Sequence, residues 1–160
     1  MRAPFLCVIG ASVWSATTIA GQTPPPLSGE LRAHVQNGRF DTVSSLNGLP
    51  VGVRAELQTL FGSPGLDIVD PAPAPQTTRE TTDSKSSLRR LVAAGCSYED
   101  CLLYYERGGS TRLWRVVLVH WTVQGTSVEW GGTAPGGLTT VDDVRRAVLS
   151  GEIKSSAGPW

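Results

Sequence analysis

Cys96 and Cys101 bracket the tetrapeptide Ser97-Tyr98-Glu99-Asp100, and two thiols at that spacing admit three kinds of chemistry. A dithiol redox centre uses two intervening residues and a helix N-terminus that favours one thiolate. Here four residues intervene, and two of them, Glu99 and Asp100, oppose a thiolate. A zinc centre needs three or four ligands. Apart from Cys7 near the N-terminus, the chain offers two cysteines and two histidines, with the histidines far apart, so no metal is expected. The third possibility is a disulfide. If Ser97–Asp100 is a four-residue hairpin loop, the cysteines face each other across adjacent strands, with Cα atoms about 4.5–5.5 Å apart. That separation is within disulfide range. The expectation is a structural staple between Cys96 and Cys101.

The other candidate for chemistry is His120, in the segment Arg112–Val123. General acid–base work requires a carboxylate that orients the imidazole and a nucleophile beside it. Glu129 on the following strand is the nearest carboxylate in register, but no G-x-S-x-G or comparable nucleophile motif is present. Gly131-Gly132-Thr133-Ala134-Pro135-Gly136-Gly137 precedes a helix as phosphate-binding loops do. It lacks the lysine and hydroxyl pattern, however, and Asp142 and Asp143 in the helix's first turn would repel phosphate. No cofactor is expected. Catalysis through His120 and a carboxylate, in a small hydrolase-like enzyme, is the alternative to a non-enzymatic reading.

The elements that must position these residues begin after an export signal. Residues 1–20 carry one arginine, an apolar run and small residues at the end, the pattern of a secretory leader cleaved after Ala20. The expected product is secreted or periplasmic, a setting in which a disulfide persists. Cys7 leaves with the leader. The whole chain holds 14 basic and 14 acidic side chains, and loss of Arg2 leaves the mature chain with a net charge of −1. That balance argues against nucleic acid and anionic membranes as partners, since both require a clustered basic surface. No run outside the leader is apolar enough to span a bilayer.

Residues 21–29 are a proline-rich entry, and 30–151 read as one α+β domain. Ser28 is a cap for a helix ending at Asn37-Gly38. Pro50 leads a second helix, whose Val53, Leu57, Leu60 and Phe61 share a face and which stops at Gly62. Residues 63–87 form a loop or linker rich in Pro, Thr and Ser, with Leu66, Ile68 and Val69 as a short edge segment. From Leu88 to Trp130, β-branched and aromatic residues divided by Gly109-Ser110 and Gly125-Thr126 predict a four-stranded antiparallel meander. Residues 88–95 suit strand or helix, and strand is favoured by the hairpins that follow. A third helix starts in a capping box of Thr140 and Asp143 and ends at Gly151, before a loose tail at 152–160.

Those turns set an expected register. Leu91 faces Glu106, Val92 faces Tyr105, Trp114 lies beside Tyr105, Val116 beside Leu103, Val123 faces Val128, and Trp121 pairs with Trp130. Both faces of such a sheet are apolar, so a cover is needed on each. Two N-terminal helices and one C-terminal helix suffice for one face. On the other, either the 63–87 segment or the N-terminal helices wrap around and close the face, or Tyr105, Trp114 and Leu118 form a binding surface, for a protein or envelope component or for a second copy of the chain. The leading functional expectation is therefore a non-enzymatic exported interaction module.

Overall fold

The computed structural model describes residues 26–62, 64–71, 88–108 and 111–156. The leader, the start of the proline-rich entry, residues 72–87 of the loop segment and the Gly109-Ser110 turn lie outside the described residues.

Three helices and a sheet follow one another along the chain. Helix α1 spans Gly29–Asn37, α2 Val51–Phe61 and α3 Val141–Ser150. Strand β1 is Asp41–Thr42, β2 Arg89–Cys96, β3 Asp100–Arg107, β4 Leu113–Thr122, β5 Gly125–Ala134 and β6 Lys154–Ser155. The helix ends obey the local chemistry read from the sequence. Ser28 Oγ accepts from Leu31 N at 3.2 Å, and Gly62 takes the left-handed conformation (φ 61°) that closes α2. At α3 the Thr140 hydroxyl accepts from Asp143 N, and the Asp143 carboxylate accepts from Thr140 N. The bond from the Thr140 hydroxyl holds the Asp143 carboxyl below its usual range.

The sheet is larger than the expected four strands. All six strands pair antiparallel in the order β1-β2-β3-β4-β5-β6. Residues 88–95 are strand, as favoured. The two extra strands are two-residue edges, too short to carry a period-2 pattern. One of them, β6, comes from the tail that reads as loose. The 66–69 segment also joins: Val69 forms a parallel bridge to Arg90, and Asp67 holds the Arg89 guanidinium at 2.6 Å.

The register differs from expectation at three places, each for a local reason. Cys96 does oppose Cys101, but a bulge at Val92 sets Leu91, rather than Val92, against Tyr105. Between β3 and β4, Arg107 pairs with Leu113, so the connection is one residue longer than a turn centred on Gly109-Ser110 allows. Trp114 therefore opposes Glu106, and Val116 opposes Tyr104. The β4–β5 turn is Val123-Gln124, closed by Thr122 and Gly125, where Gly125-Thr126 was expected. A bulge at Glu129 then brings Trp130 against Leu118, while Trp121 faces Thr126. A one-residue slip exchanges the two faces of a strand, and Trp121 and Trp130 end in different cores.

Both faces of the sheet are covered. Leu102, Tyr104, Val116, Leu118 and Trp130 pack beneath α1 and α3, joined by Val35, Val144, Val148 and Ile153. Leu91, Leu103, Tyr105, Val117 and Val119 pack beneath α2 with Leu49, Val53, Leu57 and Ile68. The helices divide between the faces instead of sharing one. No helix among the described residues is long and apolar enough to cross a membrane.

Candidate functional site at the hairpin end of the sheet

The disulfide expected from the sequence is present. Cys96 and Cys101 are bonded, with Cα atoms 4.1 Å apart across the first pair of β2 and β3. Closing so short a loop is worth about 2 kcal/mol on the chain-entropy estimate. Cys101 is fully buried, so the bridge also fixes the root of the Ser97–Glu99 turn against the core.

The three residues expected to form a binding surface are not brought together. Tyr105 and Leu118 have no exposed surface, and they lie on opposite faces of the sheet. Tyr105 packs edge-on against Phe61 of α2, with ring centroids 5.5 Å apart. Burial pushes its hydroxyl up to about 12, opposed by the nearby Arg89 and Arg115 guanidinium groups. Trp114 is half-buried, with Gly136 against its indole; a Cβ on that glycine would come within 3.0 Å of the ring. Among the described residues, α2 covers the face that carries Tyr105 and the α1 and α3 layer covers the face that carries Leu118, so a helix closes the second face and the three residues do not form one surface. The cause is the register slip between β3 and β4 and the division of the helices.

His120 has a carboxylate partner, although a different one from that expected. Its Nδ1 lies 3.1 Å from Asp100 Oδ1, and Asp100 is its direct cross-strand neighbour. His34 of α1 approaches the same carboxylate from the other side, with Nδ1 3.3 Å from Oδ2. Asp100, its side chain 7% exposed, thus sits between two imidazoles. Helix α1 is held in place for this by Arg145 of α3, which donates to the carbonyls of Val35, Gln36 and Gly38, each at 3.1 Å. A histidine whose Nδ1–H donates to a carboxylate keeps Nε2 as its basic nitrogen, the arrangement a general base uses. Among the described residues no hydroxyl or thiol is hydrogen-bonded to His120. Ser127 stands opposite His120 on β5, but its hydroxyl donates to Glu129 Oε1 at 2.5 Å. The expected His120–Glu129 pairing is thereby replaced by His120–Asp100 and Ser127–Glu129. Among the described residues no group of three or more His, Cys, Asp or Glu side chains is arranged to hold a metal.

What the fold does expose is the end of the sheet where the β2–β3 and β4–β5 turns lie side by side. Trp121 N–H donates to Glu99 O at 2.7 Å and ties the two turns together. Tyr98, 89% exposed, and Val123, 98% exposed, project from the tips. Between them is a cleft of about 390 Å³ walled by Glu99, Trp121, Thr122 and Gln124. A second cleft of about 410 Å³ opens on the α1 side of the same turn, lined by His34, Asn37, Arg39, Ser97 and Glu99. Tyr98 and Glu99 belong to both. From the spacing of the cysteines alone, Ser97–Asp100 reads only as a hairpin loop. The detectable signal was a tyrosine and a valine at the two turn tips, types that turns do not require. The chain matches no protein-family model, no curated protein and no solved structure.

Proposed function

We propose that the chain is an exported, disulfide-stapled interaction module that takes a protein or envelope partner at the hairpin end of its sheet. The observation that carries this reading is the pair of exposed apolar tips, Tyr98 and Val123, on either side of a cleft walled by Trp121. Single exposed apolar residues are ordinary on a protein surface. Two that flank one cleft, on turns fastened by a backbone hydrogen bond and a disulfide, form a prearranged contact site. A rigid site loses little conformational freedom on binding, and tyrosine is enriched at the energetic centres of interfaces. The disulfide and the leader-like N-terminus support an extracellular or periplasmic location.

The test is the double variant Tyr98→Ala/Val123→Ser. Both side chains are solvent-exposed, so stability should change by no more than about 0.5 kcal/mol. Partner capture by the immobilised protein, measured on material from its producing cells, should fall at least about tenfold, an effect of 1.4 kcal/mol or more. Undiminished capture by the double variant would remove the hairpin end as the site.

The Asp100–His120 pair favours a second reading, a small hydrolase-like enzyme with His120 as base. Against activated esters, His120→Ala then abolishes turnover while the melting transition is kept. Equal turnover in the variant and the parent rejects that reading.

A further inference from the structure

The outer edge of β5 is only half used. β6 pairs with it at Gly132 and Thr133, and Ser156 N–H donates to Gly131 O. Among the described residues no strand pairs with Gly125–Trp130 on that side. In an antiparallel ladder the backbone groups of successive residues point alternately to one neighbour and to the other. Thr122 and Gly125 close the two-residue turn, so Gly125 and Ser127 direct their N–H and C=O groups at β4. Thr126 and Val128 therefore direct theirs outward. Gly131 and Thr133, beyond the bulge at Glu129, point the same way, and they are the residues that β6 and Ser156 engage.

We propose that this free segment pairs with the same segment of a second copy, antiparallel about a two-fold axis at Ser127. The register is self-complementary. Thr126 meets the partner's Val128, and Val128 meets the partner's Thr126, so every outward N–H finds a C=O. Ser127 meets its own copy, and Glu129, the only charged residue of the segment, falls opposite the partner's Gly125. A contact of this kind closes on itself and stops at two subunits. Folded proteins blunt open edges with lysine, proline or bulges; residues 125–128 have none of these, and the bulge at Glu129 confines pairing to them. The edge faces away from β4, whereas the cleft between the hairpin tips faces β3, so the dimer does not depend on the interaction-module reading.

Sedimentation equilibrium of the purified chain over a wide concentration range tests the pairing. The weight-average mass should climb from the monomer value toward twice that value. Val128→Pro removes an outward N–H without breaking a bond to β4, a change that edge positions tolerate, and it should hold the mass at the monomer value. Ser127→Lys places two like charges at the axis and should do the same if the proline variant fails to fold, while Ser127→Thr should still dimerise. Hydrogen exchange of the Thr126 and Val128 amides should slow as concentration rises. A constant monomer mass, or a dimer undiminished in both disruptive variants, would overturn the proposal. So would slow exchange of those amides at every concentration, because the edge would then be covered by the chain itself.

Discussion

Tyr105→Ala should destabilise the protein by about 3–5 kcal/mol, the range for removing a large aromatic side chain from a core. In a domain of this size that lowers the melting temperature by roughly 10 °C or more. The side chain is fully buried between β2, β4 and α2, where it contacts Phe61 and lies near Arg89 and Arg115. Truncation leaves a cavity that the sheet cannot close, because its neighbours Leu91 and Arg115 are fixed in the ladders on both sides. Tyr105→Phe separates packing from polarity. It keeps the ring and should cost no more than about 1.5 kcal/mol, the scale of one hydrogen bond. Thermal or urea unfolding of both variants measures the difference. Near-equal losses would mean that the hydroxyl, rather than the ring, holds this core together.

Trp130→Ala should have an effect of similar size, about 3–5 kcal/mol, on the opposite face. The indole packs on Leu118 beneath the α1 and α3 layer, and its Nε1–H donates to Ser155 Oγ at 2.9 Å. Loss of the ring removes core volume and one of the side-chain links between β5 and β6. Hydrogen exchange should therefore quicken at Lys154 and Ser156 more than at β2. A destabilisation within about 1 kcal/mol, too small for a buried tryptophan, would place Trp130 outside this core and contradict the Leu118–Trp130 register.

These two side chains also show how much of the fold is legible in the sequence. Helix ends are legible because they depend on a few neighbouring residues: Ser28, Gly62, the Thr140/Asp143 box and Gly151 all act as their types dictate. The meander from β2 to β5 is legible because β-branched and aromatic runs alternate with turns. Register is a different matter, since it accumulates over loops and bulges that leave weak local signatures. Val92 and Glu129 are bulged, and one additional residue in the Gly108–Arg112 connection reverses the faces of β4 against β3.

The same slip hid the polar cluster. A register one residue off places Asp100 beside Val119, whereas the observed ladder places it beside His120. His34 was beyond reach for another reason. Its approach to Asp100 depends on where α3 docks α1 through Arg145, a tertiary contact with no trace in the local pattern around His34. The local pattern likewise gives the tips Tyr98 and Val123 structural places, Tyr98 within a loop and Val123 in a strand facing Val128. The turn at Val123-Gln124 frees that valine from the sheet.

We propose that partners are taken at the hairpin end and not on a sheet face. The most direct measurement replaces Tyr98 with a photo-crosslinking phenylalanine analogue and, in a second protein, replaces the exposed Glu152 near β6 with the same group. Illumination in the producing cells should give a discrete, reproducible adduct from position 98 and none of the same mass from position 152. The same adduct from both positions, or from 152 alone, would contradict the hairpin-end site, as would its absence from 98 when the protein is present at its normal level.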